Sequence, residues 1–235
     1  MLFKSPLVEA RLIRRYKRFL ADIEFHDGSL ATASCPNTGS MMGLAEPGSR
    51  VWLTHAPSPL RKYDYTWELT ENAKGVLIGI NTSRPNALVA EAIEAGMIKE
   101  LSGYSTIRRE CKYGAEGSRI DLLLERSDAS CYVEVKNVTA AVTDGIALFP
   151  DAVTERGCKH LRELMMMVSL NHRAVLVFCV QRGDVTEVRP ADDIDPVYGK
   201  TLREAIAAGV EVIAYRAEVG IAGIVIGNRI PVVCP

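Results

Sequence analysis

The chain has 235 residues, of which 48% are hydrophobic and 24% charged, and its formal net charge at pH 7 is -1. This length suits two modest domains, and the near-neutral charge excludes a uniformly basic protein that binds nucleic acid through bulk charge. The first residues contain no signal peptide and no run of about 18 apolar residues follows, so we expect a cytoplasmic protein, neither secreted nor membrane-spanning.

Residues 1–83 are predicted to form a small all-β domain. The strand-like segments are RLIRRYKRFLADIEF, SLATAS, RVWLTHA, TWELTE and GVLIGIN, and turn formers separate them. Five short strands suit a closed barrel of the OB type, although a fragment of a β-sandwich fits the same pattern. The segment CPNTGSM at residues 35–41 is interpreted as a barrel connection.

The first strand carries the sharpest charge asymmetry of the sequence, with five basic residues among the eight from Arg11 to Arg18. A basic groove with aromatic side chains is how small β-barrels bind single-stranded nucleic acid. An edge strand protected by its charges is the alternative. The candidate nucleic-acid-binding residues of this surface are Arg11, Arg14, Arg15, Tyr16, Lys17, Arg18, Arg61 and Lys62.

Residues 84–235 are predicted to form an α/β domain. A helix begins near Pro85, and strand-like segments STIRRECKY, RIDLLLE and CYVEVKNV follow it. The helix TERGCKHLRELMMMVSL, the strand AVLVFCV, the helix VYGKTLREAIAAG and the strand VEVIAY then alternate. This order predicts a sheet that is at least partly parallel and is covered on both faces.

Two of these strands contain the pattern that indicates chemistry. With Asp128 and Ala129 as the turn of a hairpin, Asp121 would lie opposite Lys136 and Leu123 opposite Glu134. Alternation along each strand places Asp121, Glu134 and Lys136 on one face, and it places the apolar residues on the other. The apolar face consists of Leu122, Leu124, Val133 and Val135.

Two carboxylates on one face are a suitable seat for Mg²⁺ or Mn²⁺, and a neighbouring lysine can stabilise charge on a phosphate. The residues Asp121, Glu134 and Lys136 therefore indicate phosphodiester hydrolysis. The alternative is a cross-strand ion pair between Asp121 and Lys136, with a solvated Glu134. A further carboxylate ligand is expected from the helix that begins near Pro85, where Glu91 is preferred over Glu94.

The helix at residues 154–170 presents a basic face next to an apolar one. Thr154 is its predicted N-cap. Arg156, Lys159 and His160 could bind a phosphate backbone, or they could be solvated residues that pair along the helix. The six cysteines lack metal-site spacing and are interpreted as reduced structural thiols.

Long blocks of the sequence resemble the sugar fermentation stimulation protein A family over nearly the whole chain. The blocks are CPNTGSM, RKYDYTWELT, ELSGYSTIRRECKYGAEGSRIDLLL, YVEVKNVT and LFPDAVTERGCKHLREL. The resemblance implies an N-terminal OB-like domain followed by a domain similar to the PD-(D/E)XK nucleases. It implies DNA binding without sequence specificity and a regulatory role in sugar metabolism.

By the same resemblance, Asp121, Glu134 and Lys136 match the nuclease motif, and Glu91 matches the acidic residue of its first helix. Ile120 stands where that motif often has proline. The leading hypothesis is a DNA-binding protein with a Mg²⁺- or Mn²⁺-dependent deoxyribonuclease site. A non-catalytic DNA-binding regulator that keeps only the nuclease scaffold is the main alternative. A sugar-handling protein is a weaker one, since no nucleotide-binding fingerprint is present.

Overall fold

A computed structural model describes residues 1–143 and 145–235 of the chain. Its first part is a closed β-barrel in which the strands follow one another in the order β1, β2, β3, β5 and β4, and β4 returns to β1. A short parallel pairing of β3 with β5 closes the barrel, and β6 extends it beyond β5. The strands are β1 (Val8–Tyr16), β2 (Leu20–Glu24), β3 (Leu30–Ser34), β4 (Arg50–His55), β5 (Tyr65–Glu71) and β6 (Leu77–Gly79).

The predicted first strand is in fact two strands. The chain turns back after Tyr16 through Lys17 and Arg18, which both adopt left-handed backbone conformations with φ of 49° and 65°. Turns of this kind usually contain glycine or asparagine, and the basic run contains neither. Its residues therefore occupy a β-hairpin and its turn instead of one continuous strand.

The second part of the chain is built around a six-stranded mixed sheet with the order β15-β14-β12-β9-β8-β7. Strands β9, β12 and β14 are parallel to one another, whereas β7, β8 and β15 are antiparallel to their neighbours. The strands are β7 (Thr106–Tyr113), β8 (Ser118–Arg126), β9 (Ala129–Val138), β12 (Arg173–Val180), β14 (Glu211–Gly220) and β15 (Gly223–Ile230).

Three helices cover the two faces of this sheet. α1 (Pro85–Glu94) packs on one face, while α2 (Glu155–Ser169) and α3 (Pro196–Ala207) pack on the other. Three further strands, β10 (Ala140–Thr143), β11 (Gly145–Phe149) and β13 (Val185–Pro190), form a small second sheet. The sequence analysis predicted neither this small sheet nor β15. None of the helices in the described residues is long and apolar enough to cross a membrane.

The barrel and the α/β domain share buried surface. Trp52 and Leu69 of the barrel belong to the same hydrophobic cluster as α1 and the sheet beneath it. Arg84, at the start of α1, donates two hydrogen bonds of 2.9 and 2.8 Å to the buried carboxylate of Glu68 on β5. The chain start also crosses over, since Leu2 pairs with Gly223 of β15. These contacts fix α1 against both parts of the protein.

Candidate nuclease-type site

The hairpin formed by β8 and β9 holds the predicted carboxylates. Its pairing runs from Arg126↔Ala129 to Leu122↔Val133, so the turn is Ser127-Asp128 and not Asp128-Ala129. The predicted register was wrong by two residues, and Leu123 lies opposite Tyr132 instead of Glu134. A shift of two residues preserves which face each side chain occupies.

The apolar face of the hairpin is as predicted. Leu122, Leu124, Val133 and Val135 all belong to the hydrophobic cluster beneath α1. The described pairs of β8 with β9 stop at Leu122↔Val133, and the polar residues follow beyond that point.

Asp121 is the next residue of β8 beyond the last of these pairs, and its side chain bonds to the backbone of β9. Its Oδ2 accepts a hydrogen bond of 2.7 Å from the backbone N–H of Val135, and its Oδ1 accepts one of 2.8 Å from Asn86 at the start of α1. Burial raises the pKa of Asp121 to about 6, with a further contribution from the negative charge of Glu134. Asp121 is therefore a half-buried acid beside a second carboxylate.

Glu134 is the most buried member of the site, at 2% exposure. Its Oε1 lies 2.7 Å from Lys136 Nζ and also contacts His160 Nδ1. Burial by itself would raise the pKa of Glu134, but Lys136 and His160 together hold it below the usual value. Its other oxygen, Oε2, is buried and has no hydrogen-bond partner in the part of the chain that the structure describes.

His160 belongs to this site and not to a basic surface. It is 5% exposed, and its Nδ1 lies 3.2 Å from Lys136 Nζ. Arg156, one turn earlier on α2, donates to His160 Nε2 at 3.3 Å and is itself exposed. α2 turns this side chain towards β9, so His160 is buried beside Glu134 and Lys136, and its contact with nucleic acid stays a prediction.

The helix carboxylate expected in the site lies elsewhere. Glu91 Oε1 is 3.1 Å from the N-terminal amine of Met1, and the Glu91 side chain is 56% exposed. Among the described residues no contact of Glu91 with Asp121 or Glu134 is present, and Glu94 is also exposed. The residue of α1 that does reach Asp121 is Asn86, which the sequence analysis missed. Its position one residue after Pro85, at the helix start, was the available signal.

In the described ranges, no three His, Cys, Asp or Glu side chains already converge closely enough to hold a metal ion. The oxygens of Asp121 both have hydrogen-bond donors, so a cation at this site would rely on few protein ligands.

The basic residues of the barrel are largely engaged within the protein. Arg14 pairs with Asp22 at 2.8 Å, and Tyr16 donates to the same carboxylate. Arg15 donates to the backbone carbonyls of Arg18, Asn37 and Gly39.

Other members of the predicted surface make weaker or single contacts. Arg11 donates to the carbonyl of Gly48, Arg61 donates to Thr66, and Lys62 lies over the ring of Tyr63. Lys17 and Arg18 are exposed at the β1–β2 turn. Lys159 of α2 donates to the carbonyl of Glu116.

The loop that Arg15 holds connects the barrel to the α/β domain. Within the loop at residues 36–41, Ser40 donates to the carbonyl of Asp151 at 2.8 Å. A cavity of about 160 Å³ lies beneath it, and its wall includes Asn137, the residue after Lys136. The loop at residues 36–41 thus lies next to the end of β9.

The six cysteines are free, and Cys131 and Cys179 are fully buried in the strands that the sequence predicted. Burial raises the pKa of each of these two thiols to about 12. They are packed as small apolar side chains, as predicted.

Comparison with known proteins assigns both parts of the chain. Residues 13–80 match the SfsA N-terminal OB domain, and residues 83–223 match the sugar fermentation stimulation protein RE domain. A sugar fermentation stimulation protein homolog from Thioalkalivibrio sulfidiphilus is 62% identical, covering 96% of this chain and 95% of its own length. One from Teredinibacter turnerae is 57% identical, covering 99% and 100%.

A solved structure has the same fold. The SfsA of Pyrococcus furiosus in complex with Ca²⁺ superposes with a TM-score of 0.89 at 28% identity, and the match covers 99% of this chain and 97% of that one. The expected barrel followed by an α/β domain is confirmed, and so is the resemblance. The chain belongs to the sugar fermentation stimulation protein family.

Proposed function

We propose that the protein binds DNA without sequence specificity and hydrolyses its phosphodiester bonds at Asp121, Glu134 and Lys136 with Mg²⁺ or Mn²⁺. The observation that carries the proposal is the Glu134 carboxylate, whose Oε2 is buried and has no hydrogen-bond donor. A buried carboxylate oxygen without a partner costs free energy, and a divalent cation would remove that cost.

The donor set suits a hard cation. Asp121 and Glu134 offer carboxylate oxygens, and Mg²⁺ commonly uses one or two carboxylates and completes its shell with waters and substrate phosphate. The lack of a three-residue ligand cluster in the described residues is compatible with that mode of binding. The relative from Pyrococcus furiosus was solved with Ca²⁺, which supports a divalent cation in this family.

The protein side chains have separable roles in this proposal. A bound cation would polarise the phosphate and lower the pKa of an attacking water. Lys136, whose side chain is 13% exposed and pairs with Glu134, would stabilise negative charge on the phosphate. His160 is a positioning residue, because it contacts both Glu134 and Lys136.

DNA would reach the site along the surface between the barrel turn and the start of α2. The exposed Lys17 and Arg18 at one end and Arg156 at the other supply positive charge for phosphates. Arg156 also contacts His160, so it links the substrate path to the site. Contacts of this kind position the backbone and carry no base information.

The direct test is cleavage of labelled single- and double-stranded DNA in Mg²⁺ or Mn²⁺. We expect Asp121→Ala and Lys136→Ala each to lower the rate at least about 100-fold. Both variants should keep their affinity for DNA. Glu94→Ala is the matched control, because Glu94 is an exposed carboxylate of α1, and its rate should equal that of the parent. Binding without cleavage in every metal would instead identify a non-catalytic DNA-binding regulator.

A further inference from the structure

We infer that Glu110 on β7 is a third carboxylate of this site and binds the same cation, an inference that rests on the function proposed above. The pairing of β7 with β8 places Glu110 directly across from Asp121, since Arg109↔Leu122 and Cys111↔Ile120 flank the two residues. Glu110 and Asp121 are therefore neighbours in the sheet, although eleven positions separate them in the sequence.

An amide group bridges the two carboxylates. Asn86 Nδ2 lies 2.8 Å from Asp121 Oδ1 and 3.5 Å from Glu110 Oε1. The two carboxylates therefore lie close enough to share one donor. Glu110 is exposed, so a change of rotamer can move its carboxylate without disturbing the core.

The strands are distorted at this pair. Glu110 has a φ of 54°, in the left-handed region that non-glycine residues avoid. On β8, Ile120 packs in the core beneath α2 whereas Leu122 packs in the core beneath α1, so the alternation of faces breaks at Asp121. The distortion is located where the two carboxylates meet, and it turns Glu110 out of the ordinary strand geometry.

A separate observation that indicates a ligand comes from Glu134, inside the site. Glu134, at 2% exposure, has an oxygen with no donor although Lys136 and His160 satisfy the other oxygen. Glu110 on β7, Asp121 on β8 and Glu134 on β9 would give the cation one carboxylate ligand from each of three adjacent strands. The helix carboxylate Glu91 is bound to the N-terminal amine instead.

The test measures binding of Mn²⁺ alone to the full-length protein by calorimetry, without DNA. We expect Glu110→Gln to weaken the affinity at least about 10-fold. Glu91→Gln is the matched control, with the same chemical change on the neighbouring helix, and its affinity should stay within about twofold of the parent. Asp121→Ala should abolish binding.

A second variant separates loss of a ligand from damage to the fold. Glu110→Gly removes the carboxylate and relieves the left-handed backbone, so in metal-free buffer it should melt about 2 °C above Glu110→Gln while binding Mn²⁺ as weakly. Parental affinity in both Glu110 variants, with binding lost in Asp121→Ala, would overturn the assignment of Glu110 and leave the proposed function standing. Parental affinity in Asp121→Ala would overturn the metal site itself.

Discussion

The basic hairpin of the barrel and the polar site on β8, β9 and α2 differ in how far their charged side chains are exposed to solvent. In the hairpin, Arg14 and Asp22 pair at the surface, with 67% of the Arg14 side chain exposed. In the site, Glu134 and Lys136 pair with side-chain exposures of 2% and 13%. An exposed pair contributes little to folding, whereas a buried charge is costly unless the protein provides partners.

The number of charges in a sequence segment is therefore a poor guide to whether those charges form a functional site. The hairpin has the denser charge, but much of it holds the barrel and its loop together. The site has fewer charges, and they are buried beside one carboxylate oxygen that lacks a partner.

The largest expected effect concerns Asp121, whose folded-state pKa of about 6 exceeds its ordinary value of 3.8. A raised carboxyl pKa contributes stability that is complete below the unfolded pKa and is lost as pH rises through the folded pKa. Asp121→Asn does not titrate, so its stability relative to the parent should increase by up to about 3 kcal/mol between pH 4 and pH 8.

The measurement is urea unfolding of parent and variant in chelator-containing buffer at several pH values. Loss of one hydrogen bond in the variant adds only a constant offset. A difference in unfolding free energy that does not change with pH would contradict the raised pKa of Asp121. The charges of the site would then resemble those of the exposed hairpin.

The next effect concerns Arg15, which donates to three backbone carbonyls and holds the loop at residues 36–41. Arg15→Ala should destabilise the protein by about 2 kcal/mol in urea unfolding, because it removes three hydrogen bonds from a charged donor, two of them partly buried. Arg14→Ala is the matched control and should have a much smaller effect, since its pair is exposed. Equal losses in the two variants would show that the hairpin charges are not divided in this way.

The smallest effect concerns the turn residues Lys17 and Arg18. The double variant Lys17→Ala/Arg18→Ala should bind DNA more weakly and lower the slope of log affinity against log salt by about 2, since each phosphate contact contributes roughly one counterion. Fluorescence anisotropy at several salt concentrations measures the slope. An unchanged slope would remove the barrel turn from the DNA-binding surface, and Arg156→Ala would then be the variant to measure.

The sequence predicted the apolar face of the β8–β9 hairpin because strand alternation is local. The hairpin turn was placed two residues from its observed position, but an even shift leaves every side chain on the same face. The N-cap of α2 was also predictable, and Thr154 accepts from the N–H of Gly157 at 3.0 Å. These features depend on neighbours along the chain.

Other features depended on packing between distant segments. The helical pattern favoured Glu91 over Glu94 as a ligand, yet the rotation of α1 turns Asn86 to Asp121 and leaves both carboxylates exposed. Glu110 was not considered, because nothing in its local sequence shows that β7 pairs with β8 so as to place it across from Asp121. His160 looked like one residue of a basic face until the packing of α2 against β9 buried it.

By itself, the sequence determined the family and the succession of a barrel and an α/β domain. It could do so because periodicity and long sequence blocks are properties of contiguous residues. Only the tertiary structure decided which basic side chains are already engaged, which carboxylate oxygen lacks a partner, and which residue of α1 reaches the site. Those outcomes depend on how elements far apart in the chain are oriented against a common core, which no local pattern encodes.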